Sequence, residues 1–163
     1  MTTQGLYECE KCKDTEMIFD IETQTAKVCE CAERKRYKRI LEHSGIAEQF
    51  QKVGFKEFKI STKFQEEAKK MAVDYVKNFE QIESERNNSI AFLGNCGSGK
   101  THLSIAIANN LMAKNIGVLY MPYRECVTKV KQVITDDIEY NRLLNQYKKA
   151  RVLLIDDFAK GKT

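Results

Sequence analysis

Residues 94–101 read GNCGSGKT and fill every fixed position of the pattern G-x-x-x-x-G-K-[ST]. The residue types suit the binding of a polyphosphate. Gly94, Gly97 and Gly99 permit a tight turn that points backbone N–H groups inward. Lys100 brings a positive charge to the β- and γ-phosphates, and the Thr101 hydroxyl is a ligand for Mg²⁺. Asn95, Cys96 and Ser98 fill the variable positions, where the backbone rather than the side chain meets phosphate. Cys96 is read as a tolerated small residue, not a nucleophile.

A second acidic element lies 55 residues beyond Thr101, where Val152–Ile155 run into Asp156 and Asp157. Four apolar residues suit a strand buried on both faces, and parallel sheets place their ligands at the C-terminal ends of strands. Asp156 is therefore expected to hold Mg²⁺. Asp157 is the candidate base for the attacking water and, with Lys100, the candidate catalytic pair. The closing GKT at 161–163 is not a second loop of this kind, because the position five before Gly161 is Asp156.

A third group has different chemistry. Cys9-x-x-Cys12 and Cys29-x-Cys31 form two close pairs, and two such pairs supply the four thiolates that tetrahedral Zn²⁺ takes. Metal binding would give so small a head its folding energy. Four reduced cysteines without metal are the alternative. His43 is read as a surface residue.

These residues need a scaffold. MIFDIETQTAKVCEC (17–31) reads as a β-hairpin joining the cysteine pairs. AERKRYKRILEHSG reads as a helix with Tyr37, Ile40 and Leu41 on one face and Gly45 as its stop. Its basic run, Arg34, Lys35, Arg36, Lys38 and Arg39, is read as a solvated face. IAEQFQKVGFKEF is a helical turn and a loop. STKFQEEAKKMAVDYVKNFEQI is a helix capped by Ser61 or Thr62, with Phe64, Ala68, Met71, Ala72, Tyr75, Val76 and Phe79 as its core stripe. From residue 89 the order is strand SIAFLG, helix, strand GVLYMP, two helices and strand RVLLID. That alternation indicates an α/β fold with a parallel sheet. The expected divisions are a metal-binding head at 1–32, a helical partner-binding or linking region at 33–85, and a nucleotide-binding domain at 86–163.

The chain has 163 residues, 42% hydrophobic and 31% charged, with one proline and a net charge of +4. The charge permits nucleic-acid contact without arguing strongly for it. No apolar stretch reaches the roughly 20 residues of a membrane span, and the first residues do not pattern as a secretory signal. A cytoplasmic location is the expectation.

YECEKCKDT, CEC, the basic helix, GNCGSGKTHL and VLLIDDF occur in that order, and together they resemble the replicative helicase loaders of the DnaC/DnaI type and the related IstB-like ATPases. The resemblance implies an AAA+ P-loop ATPase with ATP, Mg²⁺ and Zn²⁺ as cofactors. A replicative DNA helicase and single-stranded DNA would be its partners, and homo-oligomerisation is possible in a longer form. Arg124, Lys129 and Lys131 are candidates for DNA contact, though such lysines are more often only solubilising. The family's sensor strand, arginine finger and helical lid are absent from these residues. The expectation is that the chain stops at a truncation, with the P-loop and acidic strands lacking their shared neighbour. ATP binding would persist weakly and hydrolysis would be poor. A non-catalytic helicase-binding adaptor and a transposition ATPase are the alternative functions.

Overall fold

A two-stranded hairpin, a pair of parallel strands and five helices make up the described residues, 7–21, 23–43 and 53–158, of the computed structural model. The N-terminal part is a hairpin, β1 (Met17–Asp20) and β2 (Thr25–Val28), paired antiparallel with Met17 opposite Val28. Helix α1 (Glu30–His43) follows at once, so Cys31 lies in its first turn. The expected stop at Gly45 and the segment 44–52 lie outside the described residues, as do the side chains of Tyr37, Ile40, Leu41 and His43.

Helix α2 (Lys63–Ile82) begins at a complete capping box. The Thr62 side chain accepts from Gln65 N, while Gln65 Oε1 accepts from Thr62 N at 3.1 Å and Ser61 N at 2.8 Å. Its buried residues are Ala72, Val76 and Phe79, with Ala68 and Tyr75 partly covered. The expected stripe is too long at its first end, since Phe64 is 83% exposed and Met71 61%. Apolar spacing alone does not reveal that the neighbouring elements leave Phe64 and Met71 uncovered.

Helix α3 (Lys100–Ala113) is buried on several sides through Leu103, Ile105, Ala106, Ile107, Ala108 and Leu111, as suits a helix apolar nearly all round. It ends where Asn115 takes φ +63° and Ile116 N donates to Leu111 O. Strand β3 (Val118–Pro122) leads into α4 (Tyr123–Gln132). Helix α5 (Asp137–Lys148) is capped by Asp136, which accepts from Ile138 N and Glu139 N. Strand β4 (Val152–Asp156) returns parallel to β3, with Pro122 opposite Asp156. Helix α1 comes alongside β3, and α2 lies on α3.

Two sequence expectations change. Residues 89–94, read as a buried strand, join no sheet among the described residues. Ile90 and Phe92 pack on the core, while Leu93 is 91% exposed. A slot of about 410 Å³ separates this segment from β4, lined by Tyr75, Phe79, Ile90, Phe92, Leu153 and Ile155 among others. An apolar run becomes a strand only where a neighbour completes its hydrogen bonds. For the same reason β4 is not buried on both faces: Leu154 is buried and Ile155 is 43% exposed. Phe58, Ala72, Val76 and Phe79 share one core with Leu103, Leu111, Val118 and Leu154. Phe58 and α2 thus pack on the elements that carry the nucleotide loop.

Candidate functional site

The loop 94–99 crosses from the Ile90–Phe92 segment to the first turn of α3. Gly97 has φ +78° and Gly99 φ +93°, left-handed values that side-chain-bearing residues adopt at a cost. Gly99 has a second reason to lack a side chain, since a Cβ there would lie 2.5 Å from Cε2 of Phe58. Gly99 also caps α3 and supplies no side-chain hydrogen bond to it. The first-turn N–H groups of α3 are thus left to whatever occupies the loop, the arrangement that favours an anion. Lys100 Nζ donates to Asn95 O at 2.7 Å, across the mouth of the loop.

The acidic strand end meets the loop directly. Thr101 Oγ1 donates to Asp156 Oδ1 at 3.1 Å, joining residues 55 apart in sequence. Tyr120 OH donates to Asp156 Oδ2 at 3.2 Å, and Asp157 N donates to Oδ1 at 3.0 Å. Burial, followed by the charge of Asp156, pushes the Tyr120 phenol well above its ordinary pKa. Asp157 is exposed, with φ +55°. The donor set suits a phosphate with its cation: a lysine, helix N–H groups, a hydroxyl and a carboxylate converge on one face.

Two neighbours of this site were not legible in the sequence. Tyr120 reads as one more apolar residue in VLYMP, and only the register of β3 against β4 shows that it lies two positions before the level of Asp156. The segment 53–58 lies along α3. His102 Nε2 is 2.9 Å from Gly54 O, Asn109 Nδ2 donates to Val53 O at 2.8 Å, and the Phe58 ring meets His102 edge-on. A histidine and an asparagine seven apart on one helix were the available signal.

The cysteine cluster forms a second site. The four Sγ atoms all lie within 4.8 Å of one another, with Cys9–Cys29 at 3.8 Å and Cys12–Cys31 at 3.4 Å. Zn–S bonds of about 2.3 Å in a tetrahedron place the sulfurs about 3.8 Å apart, so the set fits such an ion. Cys12, Cys29 and Cys31 are buried. A backbone N–H, that of Cys12, foremost lowers the Cys9 thiol to about 7, whereas burial pushes Cys31 up. Asp14 holds the first pair in place by accepting from Glu8 N and Cys9 N, each at 3.0 Å. The basic run of α1 is not simply a solvated face. Lys35 pairs with Asp14 and Glu8, Lys38 with Glu8, and Arg39 with Glu16. Lys35 holds the Asp14 carboxyl, and Arg39 the Glu16 carboxyl, below the usual range.

Arg124, Lys129 and Lys131 are exposed on α4. No described helix is long and apolar enough to cross a membrane.

A family model of IstB-like ATP binding proteins matches residues 10–161. Phage-like element PBSX protein XkdC of Bacillus subtilis is 39% identical over 159 residues, covering 94% of this chain and 59% of its own length. Protein YqaM of the same organism is 43% identical over 138 residues, covering 83% and 43%. Replicative helicase loader DnaC of Escherichia coli K12 is 27% identical over 123 residues, covering 75% and 49%. The chain spans about half the length of the curated relatives it matches. No solved structure matches it.

Proposed function

The chain belongs to the IstB-like ATP-binding protein family, and from that premise we propose that it assists DNA replication by loading a replicative helicase onto single-stranded DNA in the cytoplasm. The observation that carries the nucleotide part is the meeting of Thr101 with Asp156 beside a glycine loop at a helix start. In this reading the backbone of residues 94–99 and the first turn of α3 hold the ATP phosphates. Lys100 neutralises the β- and γ-phosphates. Thr101 and Asp156 hold Mg²⁺, and Asp157 is the base that orients water. When bound, Mg²⁺ supplies positive charge to the phosphate oxygens.

The cysteine head serves as a zinc-stabilised platform for the helicase, with the exposed Arg124, Lys129 and Lys131 of α4 turned to single-stranded DNA. Support for the helicase as partner comes from the relatives named replicative helicase loader DnaC, in Escherichia coli and in Buchnera aphidicola at 29% identity.

Capture of purified replicative helicase on immobilised chain tests the proposal, with and without ATP and Mg²⁺. The expected result is capture that responds to ATP in wild type and loses that response in Lys100→Ala. Equal capture with and without nucleotide would favour a non-catalytic adaptor. Absence of capture in every state would contradict the helicase reading.

A further inference from the structure

We propose that Tyr120 is a positioning residue for the divalent cation that accompanies ATP: its phenol fixes the Asp156 carboxylate, which in turn aims the Thr101 hydroxyl. The inference rests on the nucleotide reading above and goes beyond it by assigning a part to a residue outside both motifs.

The geometry is specific. A carboxylate only accepts hydrogen bonds, so both hydroxyls must donate to it. Tyr120 donates to Oδ2 and Thr101 to Oδ1, and the Asp157 N–H also reaches Oδ1. Asp156 is thereby held from three sides: by β3, by the first turn of α3, and by the residue that follows β4. Once Thr101 spends its proton on Oδ1, its oxygen lone pairs are left to face a cation. Without the Tyr120 bond only Oδ1 is held, by Thr101 and the Asp157 N–H, and the plane of the carboxylate is less fixed about its Cβ–Cγ bond.

The strand register explains why this tyrosine reaches. Tyr120 lies opposite Leu154, two residues short of the Pro122–Asp156 level. Two residues of strand span about 6–7 Å, close to the length of a tyrosine side chain. Tyr120 is 6% exposed and belongs to the core. Its base is therefore packed in place while its hydroxyl reaches the site.

A packing role and a positioning role make different predictions for Tyr120→Phe, which keeps the ring. ADP affinity is measured by calorimetry with Mg²⁺ and with EDTA, and the ratio of the two is the readout. Loss of a residue that orients a metal ligand costs about tenfold or more in metal affinity, so the ratio should fall about tenfold. In an Asp156→Asn background the same substitution should change the ratio no further. An unchanged ratio in Tyr120→Phe, or an equal loss in both backgrounds, would overturn the proposal while leaving the nucleotide site intact. Wild-type protein whose ADP binding ignores Mg²⁺ would overturn the nucleotide reading and this proposal together. A measurement on wild type needs no variant. The Tyr120 ¹³Cζ resonance should move when Mg²⁺ is added to the ADP complex, and a resonance blind to Mg²⁺ would count against the proposal.

Discussion

Gly99 concentrates two demands in one residue, a φ of +93° and a Cβ position only 2.5 Å from the Phe58 ring. Gly99→Ala is expected to destabilise the fold by about 1–3 kcal/mol from backbone strain, with the clash in addition. Adding Phe58→Ala should relieve the clash and leave the strain. Thermal unfolding of Gly99→Ala, Phe58→Ala and the double variant separates the two terms. The cysteine cluster has its own single-residue test. Zinc content measured on purified protein should fall from about one ion per chain to near zero in Cys12→Ser, since a four-thiolate site tolerates the loss of a ligand poorly. At this scale most of the candidate site was legible: the loop, Asp156, Asp157 and the four cysteines are written as spacings. Tyr120 and Asp14 were not, because each acts through a contact set by strand register or loop geometry. Neither leaves a mark in the local pattern.

Helix α2 shows both what local sequence specifies and where it stops. The cap at Thr62, one of the two residues read for it, and the glutamine at the third helical position, which the reading did not single out, are both short-range features. Thr62→Ala is expected to cost about 1 kcal/mol, measured by denaturant unfolding. The far end of α2 is tied to the start of β4, where Arg151 donates from Nε and Nη2 to the two oxygens of Glu83, each at 2.9 Å. The guanidinium holds the Glu83 carboxyl below its ordinary range. For a depressed acid the stabilisation is present above the unfolded pKa of about 4.3 and disappears as pH falls through the lower folded value. Acid unfolding of Glu83→Gln should therefore lose this part of the pH dependence. The effect should be small, because the pair is about a third or more exposed. Residues 89–94 mark the limit of the sequence at this scale. Their apolar run is genuine, but a strand is a relation between segments. On the β4 side this one faces a slot, not a ladder.

At the scale of the molecule, the core that supports the nucleotide loop gathers Phe58 and α2 with α3, β3 and β4. The change near residue 85 from a helical section to alternating strands and helices is a change of local pattern, and local pattern does not state which segments pack together. Leu111 is fully buried at the centre of that core, so Leu111→Ala should cost about 2–5 kcal/mol in unfolding free energy and weaken nucleotide binding with it. The family assignment and the geometry of Lys100, Thr101 and Asp156 converge on one claim, that this fold binds ATP with its metal ion. Calorimetric titration of the chain with ATP and Mg²⁺, in wild type and in Lys100→Ala, tests it most directly. The account predicts saturable binding by wild type and a loss of about 10–100-fold in the variant, as expected for removing a charged hydrogen-bond partner. Binding of equal strength by both proteins, or none by wild type, would contradict it.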